Sequence, residues 1–367
     1  MSPRVAVSAV LSLLAVSKSV FAQDSDTGVT STFPATPLAS KTFSYPSGIP
    51  YQVDEEPHLI RGRQTGYNQC NSTTEGQESL CQTSFLNSLD DFCLWGSPEA
   101  NSIVANTEGE MVAWCTKAGR GTRVIPRDAL KGVQFIRTPD YVQVVGFIDQ
   151  TKVNIQAGDY GGELDPHGAD LRGNPLGGLM YSNAFSGSND TYQQIIEWTN
   201  FMGSDAFCFK ACDPAGPNAA HYCEHIYDRI GCAYNMPNQA KNGTFEACKG
   251  ESQDYPGVYT ENGQVMTYSQ PPEGVEPSPT YTPRIPASSD CITFSSQELY
   301  TASVSGESSS PSSSGSASSG SRTASSGQAA VTSGPSTAAE DSQGAANTVR
   351  MTKAGLFGIM LSTFFFV

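Results

Sequence analysis

The chain has 367 residues, with 36 acidic against 21 basic side chains and a formal net charge of −15 at pH 7. So acidic a surface repels phosphate backbones and anionic headgroups, which argues against nucleic acid and against direct binding to anionic lipid. Ten cysteines in a chain that starts with an export signal point to as many as five disulfides rather than to thiol or metal chemistry.

Residues 1–22 carry Arg4, an apolar run from Val5 to Val16, and small residues Val20 and Ala22 at the −3 and −1 positions, the layout of a secretory signal peptide. Residues 23–66 are rich in Pro, Thr and Ser and read as an extended leader. The folded part is expected over residues 67–256. There Gly132–Ile136 and Tyr141–Phe147 carry β-branched and aromatic residues on either side of the turn sequence Arg137-Thr-Pro-Asp140, which predicts a hairpin. Met111–Cys115, Arg123–Ile125 and Lys152–Ile155 are further short strands, and Gly158–Gly178 is so glycine-rich that it predicts a long loop.

A helix is expected after Asn189-Asp190, with Tyr192, Ile195, Ile196 and Thr199 at helical spacing, and a second from Ala219 to Ile230, capped by Asn218 and ended by Gly231. The predicted fold is α+β: one β-rich, disulfide-stapled domain with about two short helices. A Pro-rich connector containing Cys291 covers residues 257–302, and a Ser/Gly/Ala-rich, O-glycosylated stalk covers 303–346. Residues 347–367 are a polar spacer and an apolar tail of 14 residues, too short to span a bilayer as a helix. With the small residues before it, this is the pattern of a glycosylphosphatidylinositol (GPI) signal, attachment being expected at Gly344 or, second, at Ser342. Processing at both ends would remove Arg4, Lys18, Arg350 and Lys353 and no acidic residue, taking the charge to −19. The lipid, not the protein surface, would then hold the membrane.

The cysteines are Cys70, Cys81, Cys93, Cys115, Cys208, Cys212, Cys223, Cys232, Cys248 and Cys291, and spacing leaves their pairing open. Sequons predict N-glycans at Asn71, Asn189 and Asn242. Three sets of residues carry possible chemistry. Glu163 and Asp165, in Asp159-Tyr-Gly-Gly-Glu-Leu-Asp165-Pro-His167, could act as acid and base in glycoside hydrolysis, or the loop could be a solvated acidic turn. His221, Glu224 and His225 fit the H-x-x-E-H pattern of a zinc peptidase, with Glu246 as a third ligand, or they form the polar face of a packed helix. Trp95, Trp114 and Trp198 could be sugar platforms or core. No cofactor is expected.

Several long strings occur in order that resemble the fungal macrophage-activating glycoproteins: Trp114-Cys-Thr-Lys-Ala-Gly-Arg-Gly-Thr-Arg-Val-Ile-Pro126, Leu130–Phe135 with Thr138–Val142, Gly161–Asp170 with Gly173-Asn-Pro175, and Glu224–Asp228 with Gly231-Cys232 and Asn235-Met-Pro237. The resemblance covers about residues 67–250, with Tyr234 standing where that family has a tryptophan. It implies a secreted, GPI-anchored glycoprotein of basidiomycete type that meets host immune cells, and it carries no catalytic residues with it. The leading expectation is therefore a non-enzymatic cell-surface and wall glycoprotein that binds wall polysaccharide or mediates adhesion. A glycoside hydrolase acting on β-glucan and, more distantly, a metallopeptidase are the alternatives. The hydrolase needs Glu163 and Asp165 in one cleft about 5 to 10 Å apart, the peptidase needs His221 and His225 on one metal, and a binding module needs exposed aromatic rings.

Overall fold

The computed structural model describes residues 33–300. The signal peptide, the stalk, Gly344, Ser342 and the apolar tail lie outside the described residues. Strands follow one another as β1 (Thr83–Ser88), β2 (Asp91–Gly96), β3 (Val112–Cys115), β4 (Arg123–Val124), β5 (Leu130–Arg137), β6 (Tyr141–Ile148), β7 (Gly162–Leu164), β8 (Leu179–Ser182), β9 (Gln193–Gln194), β10 (Trp198–Gly203), β11 (Ala206–Cys212), β12 (Phe245–Gly250), β13 (Val258–Glu261), β14 (Gln264–Thr267) and β15 (Ser288–Phe294). The helices are single turns: α1 (Val104–Thr107), α2 (Ala219–Tyr222), α3 (Gly231–Asn235) and α4 (Ser296–Leu299). The protein is thus β-rich with a few short helices.

Six strands form one sheet in the order β4-β3-β2-β1-β8-β9, and seven form another in the order β15-β12-β5-β6-β11-β10-β7. Both are mixed, since β1–β8, β3–β4 and β5–β12 pair in parallel. The β5–β6 hairpin predicted from its β-branched residues is present, and the Thr138 hydroxyl closes its turn by accepting the N–H groups of Asp140 and Tyr141. The two sheets share one apolar core, where Phe92 faces Phe207 at 6.0 Å and Trp95 faces Trp198 at 5.8 Å between ring centroids. All three tryptophans are buried there, and Cys93 and Cys115 join β2 to β3 beside them.

Period 2 gives the seven-stranded sheet two different faces. On β11, Phe207, Phe209 and Ala211 enter the core between the sheets, while Cys208, Lys210 and Cys212 point to the outer face. Residues 219–240 cover that face, held by the Cys208–Cys232 and Cys212–Cys223 disulfides. Lys210 is completely buried beneath them. Its ammonium donates to the carbonyls of Tyr222 (3.1 Å) and Asn235 (2.8 Å) and to Gln253 Oε1 (2.7 Å), and it lies 4.9 Å from the Tyr141 ring centroid. Burial pushes this amine down from its ordinary value, but three acceptors match the three N–H donors of the charged form.

Four expected elements differ. Gly158–Gly178, expected as one long loop, contains β7, which pairs with β10 at the sheet edge. The helix after Asn189 is β9 and β10, because residues 198–203 pair along their whole length with β11 and their alternation sends Trp198 and Met202 inward. The helix from Ala219 to Ile230 stops at Tyr222, where Cys223 is drawn down to Cys212, and Gly231, expected to terminate it, instead opens α3 with φ +66°. Lys152–Ile155 is not a strand; residues 150–153 form a 3₁₀ turn capped by the Asp149 carboxylate.

The segments flanking the sheets also pack on them. Leu38, Ile49, Val53 and Leu59, in the stretch read as a leader, are buried, the first three within the main core. Near the other end, β15 adds to β12 and Cys291 pairs with Cys248. The remaining bond is Cys70–Cys81, so the ten cysteines form five pairs.

Replacing Lys210 by Met removes the donor to the Tyr222 carbonyl and to Gln253 Oε1 and leaves the Asn235 carbonyl with the Gln253 amide N–H alone. The expected loss is about 3 kcal/mol of unfolding free energy, measured by denaturant titration. Lys249→Met, which removes an exposed ion pair with Asp290, is expected to change it by less than about 0.5 kcal/mol.

Candidate functional site

The site begins with how β7 reaches the edge of its sheet. Gly161 has φ +88°, and a Cβ there would fall 1.7 Å from the carbonyl oxygen of Met202; one on Gly203 would fall 2.3 Å from the Gly161 Cα. Only two glycines allow the strands so close. The β7–β10 ladder then sets Glu163 opposite Phe201. Leu164 enters the core, so by strand alternation Glu163 and Asp165 share the outer face, the same face that residues 219–240 cover.

Between β7 and that covering segment lies a cleft of about 1000 Å³. Glu163 and Asp165 line one side, Asp228 and His225 the other, and Glu108 comes from the turn after α1. Tyr160 stands at the rim, 92% exposed. Glu163 and Asp165 are only 5% and 6% exposed, so the carboxylates sit deep in the cleft.

Their surroundings differ. Glu163 Oε1 accepts from the Thr199 hydroxyl at 2.5 Å, while Oε2 is buried with no hydrogen-bond partner. Burial, and after it the charge of Asp165, hold this carboxyl well above the usual carboxylate range. Asp165 Oδ1 accepts the backbone N–H groups of His167 and Gly168, both at 2.7 Å. Burial raises Asp165 too, opposed by those two N–H groups and by the nearby histidines. Burial also raises Glu108, opposed by Arg61. His167 stacks on His225 with ring centroids 3.9 Å apart, and its Nε2 lies 3.1 Å from Glu197 Oε2. Burial opposes charge on His167, yet Glu197 outweighs it and raises the imidazole above its ordinary value.

Two arginines hold the loop that carries Asp165 and His167. Arg172, with no exposed side-chain surface, makes a bidentate pair with Asp54 at 2.7 and 2.9 Å. Arg61 pairs with Asp170 at 2.8 and 2.5 Å and donates to Asn174 and to the carbonyl of Gly173. A short antiparallel bridge between Asp165 and Asn174 closes the loop.

The structure brings Glu163 and Asp165 together and separates the other expected constellation. His221 packs on Tyr255, whereas His225 stacks on His167, because the helix that would have put them on one face ends at Tyr222. Glu246 lies on β12, bonded to the Gln134 amide. Its nearest ligand-type neighbours, Cys248 and Cys291, are bonded to each other. Asn71, Asn189 and Asn242 are all exposed. Sequence reasoning missed Glu108, Tyr160, Glu197, Asp228 and the two arginine clamps. The carboxylates and the histidine gathered on the glycine-rich backbone of residues 159–170 marked the place.

Asp54→Ala leaves buried Arg172 with only the Gly62 carbonyl and the Asp170 carboxylate at 4.0 Å, and about 3 kcal/mol of stability is expected to be lost in denaturant titration. His167 has a raised folded pKa, so the stabilisation from its charged form is complete below the ordinary value of 6.5 and is lost as pH rises through the folded value. The melting-temperature gap between the native chain and Glu197→Gln is therefore expected to be widest near about pH 6 and to narrow on the alkaline side.

No family model and no solved structure matches this chain. It is 43% identical over 242 residues to appressorium protein ROW2 of Mycosarcoma maydis, spanning 65% of this chain and 78% of that protein. It is also 48% identical over 197 residues to appressorium protein ROW1 of the same fungus, spanning 54% of this chain and 46% of that protein. With more than three-quarters of ROW2 covered at that identity, the chain belongs to the family of the basidiomycete appressorium proteins ROW1 and ROW2.

Proposed function

We propose that this protein is an exported fungal surface glycoprotein, held to the membrane by a GPI lipid at Gly344 or Ser342, whose cleft binds cell-wall polysaccharide, with a role at the appressorium like that of its relatives' names. Export is supported by residues 1–22 and by five cysteine pairs, which belong to oxidising compartments. Glycans on Asn71, Asn189, Asn242 and the stalk would be the part that meets other cells, host immune cells included.

The cleft carries this reading. It is open, lined by carboxylates that accept hydrogen bonds from hydroxyl groups, and bordered by the exposed ring of Tyr160, which offers a flat apolar face to a sugar ring. The same carboxylates repel uronic acids and phosphates, so the ligands it favours are uncharged or cationic sugar chains.

The test is retention of the glycosylated full chain on insoluble β-glucan, chitin and mannan. Retention on at least one polymer is expected, and Tyr160→Ala should weaken it about 5- to 10-fold, the worth of one ring contact. Retention that survives both Tyr160→Ala and Asp228→Asn unchanged would place binding elsewhere on the molecule.

A further inference from the structure

The geometry points to hydrolysis of a glycosidic bond in this cleft, with Glu163 as the general acid and Asp165 as the base that activates water. The inference rests on the polysaccharide-binding reading and adds a reaction to it.

The separation comes from the strand. Residues two apart on one strand face lie about 7 Å apart at their roots, and Glu163 and Asp165 occupy such positions at and just beyond the end of β7. Roots at that spacing on one face let the two carboxyl groups flank one sugar bond, as the acid and base of a glycosidase do. Both side chains line the cleft while buried in its depth, where a bond to be cut would be shielded from bulk solvent.

The division of roles follows from the hydrogen bonds. The Thr199 hydroxyl donates to Glu163 Oε1, which places the proton of the neutral carboxyl on Oε2, and Oε2 has no protein partner. A buried donor left without an acceptor is costly unless a ligand supplies one. The glycosidic oxygen of a bound chain would be that acceptor. Asp165 has two backbone N–H groups on Oδ1, an arrangement that favours and orients its anion. Beside it, His167 stacks on His225 and is bonded to Glu197, which raises its imidazole and so favours its cationic form near Asp165.

In the reaction, water attacks the anomeric carbon as the bond from that carbon to the glycosidic oxygen breaks. The leaving oxygen takes the bond's electron pair and the proton from Glu163 Oε2, and Asp165 takes a proton from the water. Glu163 ends as carboxylate and Asp165 as acid, and exchange with solvent restores both. No co-reactant other than water is needed.

The experiment incubates the glycosylated full chain with soluble β-1,3-glucan, chitin oligosaccharides and mannan, and records new reducing ends together with the anomer first formed, by proton NMR. Release of reducing ends is expected from at least one polymer, an inverted first anomer being the outcome for a base that activates water directly. Glu163→Gln and Asp165→Asn should each lower the rate about 10³-fold, far more than they weaken retention on the polymer, since the groups act in the transition state beyond what they give to binding. Both substitutions are isosteric, and an unchanged melting temperature distinguishes loss of chemistry from loss of fold. The rate should fall on the alkaline side as Glu163 loses its proton and on the acid side as Asp165 gains one, giving a bell-shaped profile. Retention without release by the native chain overturns the inference and leaves the binding reading intact. Release unaffected by Glu163→Gln also overturns it. Failure of both retention and release removes both readings.

Discussion

The buried ion pair between Arg172 and Asp54 is the contact on which the cleft depends. Arg172 lies in a loop with little regular structure, and that loop presents Asp165, His167 and Asp170. Such a segment has few ladder hydrogen bonds to hold it. What fixes it is a guanidinium with no exposed side-chain surface, held through Nε and Nη2 by the Asp54 carboxylate and the carbonyl of Gly62, while Nη1 is buried without a hydrogen-bond partner, 4.0 Å from Asp170. Removing a charge pair this deep from water costs several kcal/mol per ion, so the pair holds only while both members are in place. That couples the loop to residues 54–62, more than 100 positions earlier, and makes the segment before the first strand part of the site's foundation.

A second constraint comes from the seven-stranded sheet having both faces covered. Its inner face packs on the six-stranded sheet through large aromatic side chains, while its outer face is closed by residues 219–240, which lack a long helix or strand of their own. Two disulfides and the Lys210 ammonium do the holding there. Because this cover stops short of the edge strand β7, the gap between them becomes the cleft. The densest cysteine cluster of the chain therefore shapes a binding surface as well as stabilising the domain.

Within the cleft, like charges lie close together and are resolved by their environments rather than by pairing with cations. Glu163 sits against a hydroxyl donor in a buried position that pushes its carboxyl well above the usual carboxylate range; Asp165 takes two backbone N–H groups and has histidines nearby, which oppose the rise that burial causes. Two carboxyls with different hydrogen-bond shells can hold different protonation states at one pH. This asymmetry is a property of the fold, since the two residues are separated by a single position in the chain.

Local patterns in the chain determined the hairpin of residues 130–148, the short strands around Cys115 and Val124 and the β-rich class, because period-2 burial and turn chemistry act over a few residues; they missed β7 inside the glycine-rich stretch 158–178, which pairing with β10 makes a strand. They nonetheless marked Glu163 and Asp165 through the carboxylates and histidine gathered on glycine-rich backbone. The same local view failed for residues 189–203 and 219–230, where helical spacing gave way to pairing with β11 and to the pull of Cys212 on Cys223. Tertiary structure alone decided which cysteines pair, why His221 and His225 face different neighbours, and how Glu108, Tyr160, Asp228 and the two arginine clamps converge on β7. Those contacts span up to 118 positions, and no short-range pattern encodes an interaction whose energy depends on bringing distant segments out of water together.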